Sequence, residues 1–194
     1  MAKKSAPKAD PAGTIIDSAL ALAVTRGWRY VTLQDIADRA AIPLAELQQV
    51  LPAKSALIGL MIRTIDERVL AAWEPAGDAE TPRERLFDIF MTRFEQLIPF
   101  RDGIAALLSD SLCDPLAAAR QFCNVRASIK RMLAAAQIPT AGPFGEMRTK
   151  GALVIYLSVF RIWLRDDSED LSKTMAALDK ALIKAEKISQ RLPA

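Results

Sequence analysis

The amino-acid sequence predicts a protein built from α-helices. Apolar residues make up 51% of the 194 positions, too many for a disordered chain. Aromatic residues account for only 6% and glycines number 8, while alanine is abundant. This mixture favours helix, because alanine loses no side-chain entropy in a helix, whereas strands favour β-branched and aromatic residues. Apolar residues also recur at helical spacing without strand-like alternation. We therefore expect an all-α fold of about nine helices.

The N-terminus is expected to be a flexible tail over residues 1–12, followed by a first helix from Thr14 to Arg26. The tail is composed mainly of lysine, proline and alanine without periodicity. Gly27 follows the last turn of the helix, where a left-handed residue is favoured. The aromatic residues that come next, Trp28 and Tyr30, are expected to pack under the turn.

Two short helices follow, and together they predict a helix-turn-helix. The first should run from Thr32 to Ala40, because Thr32 and Asp35 have the spacing of a capping box. After a brief turn, Pro43 introduces the second, Leu44 to Leu51, since proline suits a first helical turn. Two short helices joined by such a turn form the helix-turn-helix unit, whose second helix enters the DNA major groove.

Six further helices are expected, separated by proline, glycine and acidic breakers. Their predicted ranges are Lys54–Trp73, Pro82–Leu97, Asp102–Ser111, Pro115–Ala136, Phe144–Leu164 and Ser168–Arg191. The acidic run Asp166–Asp170 precedes the last of them. Acids and serine at a helix start usually cap the helix, so we interpret this run as a cap rather than a metal site or a catalytic carboxylate pair.

Composition argues against several function classes. The chain has no histidine, which removes the commonest general base and metal ligand, so we expect no enzyme, no cofactor and no metal site. The net charge of +3 is compatible with a polyanionic partner, although much of the excess lies in the tail. Two cysteines, no apolar leader and no apolar run near the ~20 residues of a spanning helix predict a soluble cytoplasmic protein.

Several spaced positions between Ile15 and Leu57 agree with one known pattern. They are Gly27-Trp28, then Thr32 followed by Ile36-Ala37, then Leu51-Pro52-x-Lys54-x-x-Leu57. In these positions the chain resembles the TetR family of DNA-binding regulators. The resemblance implies a helix-turn-helix DNA-binding domain over residues 13–57 and a helical ligand-binding and dimerisation domain over residues 58–194. It also implies a homodimer that binds double-stranded operator DNA.

Three residues are predicted to contact the DNA backbone, Thr32 and Lys54 by the resemblance and Arg29 by its position. Thr32 stands where the family's second helix meets a phosphate, and Lys54 matches the family's phosphate-contacting lysine at a helix start. Arg29 flanks the first turn, from which its side chain would reach the backbone.

The predicted recognition helix departs from the family pattern at several positions. Pro43 replaces the small polar residue that usually starts this helix, and Gln48 replaces a tyrosine. Gln48 and Gln49 would pair with adenine edges, while Glu46 would repel phosphates or accept from a cytosine amine. The alternative is that both glutamines are ordinary solvated residues.

The resemblance implies that the second domain holds a small hydrophobic ligand, and the domain supplies enough large apolar residues for this role. Most of these must form an ordinary core, and a subset facing one another would line a pocket. The predicted ligand-binding residues are Phe90, Phe94, Leu107, Met132, Tyr156, Phe160 and Trp163.

A second resemblance leaves an alternative function open. Tyr156, Arg161–Leu164, Asp166–Ser168 and Thr174–Asp179 are similar to a C-terminal pattern of the lipid-binding accessory proteins of ubiquinone biosynthesis, which share the TetR fold. Some TetR-type regulators carry similar residues here. The alternative is a lipid-binding accessory protein with a vestigial helix-turn-helix, whose basic last helix would lie on a membrane surface.

Overall fold

The computed structural model describes residues 10–74, 81–111 and 115–189, and within these ranges the chain is helical with no strand. The nine α-helices of this part of the chain are α1 (Pro11–Arg26), α2 (Leu33–Ala40), α3 (Leu44–Val50), α4 (Leu57–Ala72), α5 (Pro82–Leu97), α6 (Arg101–Ser111), α7 (Pro115–Ala135), α8 (Gly142–Trp163) and α9 (Ser172–Ser189). Short 3-10 helices precede α2, α4 and α6. Among the described residues, no helix has the length and apolar character that crossing a membrane requires.

The first helix begins three residues earlier than predicted. Asp10 is its N-cap and accepts a hydrogen bond from the backbone N–H of Gly13 at 3.0 Å, while Pro11 occupies the first turn. Residues 11 and 12, which we had assigned to the tail, therefore belong to α1, and residues 1–9 lie outside the described residues. At the other end Gly27 has a φ of 81°, consistent with the predicted helix stop.

The last helix begins at Ser172, four residues later than predicted, because Asp166 caps it from a distance. The buried Asp166 carboxylate accepts hydrogen bonds from the backbone N–H of Thr174 at 2.8 Å and from its hydroxyl at 2.6 Å. It also accepts from the backbone N–H and hydroxyl of Ser168. Burial alone would raise the pKa of Asp166, but these hydrogen bonds outweigh it and hold the pKa far below its usual range. The acidic run thus caps α9, as predicted.

The second domain is organised around α4, which also carries the helix-turn-helix at its N-terminal end. Helices α5 and α7 pack against α4, and α8 and α9 pack against each other and against α5. A buried ionic cluster, Asp66 with Arg93, Ser128 and Arg131, joins α4 to α5 and α7. This cluster fixes the orientation of α4 within the second domain.

A second contact joins α1 to α6. Gly103 of α6 is buried against Leu20 of α1, and a Cβ atom added at Gly103 would lie 2.5 Å from the Cβ atom of Leu20. Only glycine permits this close approach without a shift of one helix. The two helices are therefore in direct contact at these two residues.

Candidate nucleic-acid interface

The helix-turn-helix begins with the predicted capping box at Thr32. The Thr32 hydroxyl accepts from the backbone N–H of Asp35 at 3.1 Å, and the Asp35 carboxylate accepts from the backbone N–H of Thr32 at 2.8 Å. Arg26 pairs with the same carboxylate at 3.0 Å. Hydrogen bonds from Thr32, together with Arg26, hold the pKa of Asp35 below its usual range. Thr32 is exposed at this helix start, on the part of α2 where a phosphate contact was predicted.

The turn between α2 and α3 depends on an alanine in an unfavourable conformation. Ala41 has φ 54° and ψ 41°, the left-handed region that glycine adopts at lower cost. Its N–H and that of Ile42 close the end of α2 by bonding to the carbonyls of Ala37 and Asp38. This turn sets the direction in which α3 leaves.

Ala41→Gly is expected to raise the free energy of unfolding by about 0.5–1 kcal/mol, because relief of left-handed strain exceeds the added entropy of the unfolded chain. Ala41 is exposed, so little packing is lost. Urea denaturation measures the change. The matched control is Ala45→Gly, also exposed but inside α3, which should cost about 1 kcal/mol. An equal decrease in the free energy of unfolding of both variants would contradict the prediction.

The recognition helix α3 buries one face and exposes the other. Leu47 is fully buried beneath it, next to Leu51. Glu46, Gln48 and Gln49 are all exposed. The structure therefore presents the three predicted base-reading side chains together on the outer face of α3, where they are free of any core role.

Lys54 is held within the protein. It is half-buried, and its ammonium group donates to the carbonyl oxygen of Trp28 at 2.8 Å and to that of Arg29 at 3.3 Å. The same group lies 4.8 Å from the centroid of the Trp28 ring, a cation–π contact. Lys54 thus ties the start of α4 to the 3-10 helix before α2. Its predicted contact with a DNA phosphate remains a prediction, and it would have to be made in addition to these bonds.

Tyr30 does not pack under the turn, which corrects our prediction. Trp28 is half-buried against the core, but Tyr30 is 71% exposed two residues before Thr32. The tight 3-10 geometry of Trp28–Tyr30 turns the two rings in different directions. Arg29, between them, is exposed, as a backbone contact would require. The helical pattern of the sequence did not indicate that this tyrosine hydroxyl is exposed near the start of α2.

The interface carries little net positive charge. Between Arg26 and Lys54 there are four basic and three acidic residues, a net charge of +1. DNA affinity rests largely on Lys and Arg contacts that release counterions from phosphates. A DNA contact made by this surface alone would therefore release few counterions.

The predicted ligand-binding residues form the packed centre of the second domain. Five of them are aromatic and lie in one chain of ring contacts 5.3–6.1 Å apart: Phe90, Phe94, Tyr156, Phe160 and Trp163. Leu107 and Met132 are buried as well. Two surface cavities in the described part of the chain are lined by other residues, on α8 and α9 and between α1 and α6. The pocket itself thus remains a prediction.

Comparison with solved structures identifies the fold. No protein-family model matches the sequence, and a search of curated proteins found no match. In contrast, the crystal structure of a TetR transcriptional regulator from Nitrosomonas europaea superimposes with a TM-score of 0.73 and 26% sequence identity, covering 91% of this chain and 98% of that one. The chain therefore has the fold of the TetR transcriptional regulators.

More distant TetR-family structures share the fold. A regulator from Rhodococcus sp. RHA1 has a TM-score of 0.59 at 16% identity, covering 93% of this chain and 99% of that one. A regulator from Streptomyces coelicolor has the same TM-score at 15% identity, covering 95% and 85%. These comparisons confirm the predicted all-helical TetR fold, and the proteins that share it here are transcriptional regulators. These comparisons give no support to the lipid-binding accessory alternative.

Proposed function

We propose that this TetR-fold protein is a homodimeric transcriptional regulator that binds operator DNA through α2 and α3 and is controlled by a small hydrophobic ligand. The observation that carries the DNA-binding part is the outer face of α3. There Glu46, Gln48 and Gln49 are exposed together on a helix that is fixed from beneath by the buried Leu47. The location follows from this role, since a DNA-binding regulator acts in the cytoplasm.

On the proposed interface, the chemistry of the side chains separates those that contact bases from those that contact phosphates. Gln48 and Gln49 each offer an amide that can donate to and accept from one adenine edge in the major groove. Thr32, Arg29 and Tyr30 stand near the start of α2 and bind the phosphate backbone, which sets the register of α3 but carries no sequence information.

The proposed dimer forms through the outer face of α8. Val154 is 64% exposed, and a Cβ atom added at Gly151, one turn earlier, would meet nothing within 4 Å. The exposed large apolar residues along this helix are Phe144, Met147, Val154, Leu157 and Ile162. An apolar stripe of this length on a water-soluble helix is typical of a protein–protein interface. A dimer would present two α3 helices to half-sites about one DNA turn apart.

The experiment that tests DNA binding is a salt titration with labelled DNA from the protein's own upstream region, compared with scrambled DNA of the same composition. We expect tighter binding to the native DNA, weakening with salt by about 0.9 log units per tenfold change for each phosphate neutralised. Absence of binding to either DNA at low salt, by a protein shown to be folded, would refute the proposal and direct attention to the lipid-binding alternative.

Glu46→Gln is expected to strengthen binding to scrambled DNA by about five- to tenfold in the dimer, since it removes a negative charge facing the phosphates. The ratio of the affinity for native DNA to that for scrambled DNA should fall at the same time, because Glu46 also accepts a hydrogen bond from a cytosine amine. Fluorescence anisotropy at fixed salt measures both. Glu95→Gln, which removes the same charge from an exposed site on α5, should change neither. An unchanged affinity of Glu46→Gln for scrambled DNA would show that Glu46 points away from DNA.

Ligand control is supported by the position of the aromatic cluster. It lies in the second domain, where α8 and α5 meet, and α6 beside it contacts α1 of the helix-turn-helix. A ligand shifts the equilibrium between two arrangements of the recognition helices only through different affinity for the two. The ligand must therefore touch an element that moves relative to α1.

A further inference from the structure

Two buried nitrogen atoms at one end of the aromatic cluster have no hydrogen-bond acceptor within the described chain. They are the indole Nε1 of Trp163, a residue that is fully buried at the end of α8, and the Nε of Arg101, the first residue of α6. The two side chains are in contact, since the Arg101 guanidinium lies 4.8 Å from the centroid of the Trp163 ring. In the part of the chain that the structure describes, no other buried side-chain nitrogen or oxygen lacks a partner.

Buried donors of this kind are rarely left unpaired, because each unmade hydrogen bond costs about 1–3 kcal/mol. Here both donors come from side chains that the fold itself fixes. Trp163 is held by ring contacts with Phe94 and Phe160, at 6.1 Å and 5.4 Å between centroids. Arg101 is held by donation from its Nη1 to the backbone carbonyl of Asp166. Both donors are therefore held in place, and because the two surface cavities of the described chain are lined by other residues, an acceptor that reaches both would have to part the packing around them.

The charge at this position favours an anionic acceptor. Arg101 carries a full positive charge, and its only hydrogen-bond acceptor among the described residues is a neutral carbonyl. The side-chain carboxylate of the same residue, Asp166, accepts hydrogen bonds from Ser168 and Thr174 and does not pair with Arg101. A carboxylate oxygen would satisfy Arg101 and Trp163 with charge-assisted hydrogen bonds, which are about twice as strong as neutral ones.

The surroundings indicate what the anion is attached to. Phe94 and Trp163 are fully buried, and the half-buried Phe160 continues the same aromatic wall. A ligand anchored by its carboxylate would lay an apolar or aromatic body against these rings. We propose that Arg101 and Trp163 form the anchoring site for the carboxylate of a small hydrophobic organic acid, which acts as the effector of this regulator. This inference rests on the ligand control proposed above and specifies the chemistry of the ligand.

The site is placed to affect DNA binding. Arg101 starts α6, and Gly103, two residues further on, is the residue that packs directly against Leu20 of α1. A ligand that draws Arg101 toward its carboxylate shifts the first turn of α6, and the close α6–α1 contact passes this shift to the helix-turn-helix. Because Gly103 and Leu20 approach so closely, a displacement of α6 at this point pushes on α1.

The test compares acids with their neutral amides on the full-length protein. Binding of octanoate and 4-phenylbutyrate, and of octanamide and 4-phenylbutyramide, is measured by titration calorimetry and by quenching of tryptophan fluorescence. We expect at least one acid to bind about tenfold or more tightly than its amide. Arg101→Gln should abolish this preference, and Trp163→Phe should reduce it severalfold. Arg165→Gln, an exposed arginine near the same end of α8, should leave it unchanged.

Two further measurements keep the result decisive. Arg101→Lys retains the positive charge but lacks Nε, so an intermediate preference for the acid over its amide is expected. An undiminished preference would show that the charge suffices and that Nε does not bind the carboxylate. Circular dichroism melting of each variant confirms that it is folded. If folded wild-type protein binds neither acid more tightly than its amide, or if Arg101→Gln keeps the preference, the anchoring site is refuted and a bound water is the better partner for the two donors. This measurement uses no DNA, so its failure is distinguishable from failure of the DNA-binding proposal.

Discussion

Asp66→Asn is expected to lower the free energy of unfolding by about 3–5 kcal/mol, a large share of the 5–15 kcal/mol typical of a domain. Asp66 and Arg93 are each only about 3% exposed, so the carboxylate is the buried counter-charge of the arginine. Asp66 also accepts from the Ser128 hydroxyl at 2.8 Å and from Arg131. Removal of one partner of a buried ion pair leaves the other charge uncompensated, which costs far more than the pair itself contributes.

Urea denaturation of Asp66→Asn measures this loss, with Glu67→Gln as the control. Glu67 is the next residue on the same helix but exposed, so the control removes the same charge without disturbing the cluster, and it should change stability by less than about 0.5 kcal/mol. The double variant Asp66→Leu, Arg93→Met replaces both charges with apolar side chains and should recover much of the loss. Similar effects of Asp66→Asn and Glu67→Gln would mean that the cluster does not support α4.

Val154→Glu is expected to convert the proposed dimer to a monomer and to reduce the affinity for the proposed operator DNA by at least about 100-fold. The substitution places a charge in the middle of the apolar stripe of α8, where Val154 is the most exposed member. Burying an unpaired carboxylate in an interface is strongly unfavourable. Loss of the dimer makes each half-site a separate binding event, and linkage of two such events typically contributes 10²- to 10⁴-fold in affinity.

Sedimentation equilibrium measures the oligomeric state of Val154→Glu, and fluorescence anisotropy measures its DNA affinity. Val24→Glu is the matched control, because Val24 is also an exposed valine, 53% accessible, but lies on α1. This control should remain a dimer. A dimeric Val154→Glu would place the dimer contact elsewhere, and a monomeric variant with unchanged DNA affinity would show that one protomer suffices for binding.

Features that depend on residues close together along the chain could be predicted from the sequence. Helical periodicity is a local property, and it located all nine described helices, with the boundaries of α5 placed without error. The capping box of Thr32 and Asp35 and the exposed face of α3 were also predictable, because both follow from spacing within one helix. The largest boundary errors were at the starts of α9, by four residues, and of α1 and α4, by three each. Two of them arose where Asp10 and Asp166 act as caps, and the third where a 3-10 helix precedes α4. In the case of Asp166 the capped residue lies eight positions away.

Contacts between side chains that are far apart in sequence became visible only in the tertiary structure. The carbonyl groups that bind Lys54 lie 25 and 26 residues away, and the partners of Asp66 lie 27 to 65 residues away. The one sequence signal for Asp66 was an acid among apolar residues on α4, where Ile62, Ile65 and Val69 are also buried. Arg101 and Trp163, the residues of the proposed effector site, are 62 positions apart. Spacing along a chain fixes the face of a helix on which a residue lies, but only the packing of helices against one another fixes what that face contacts.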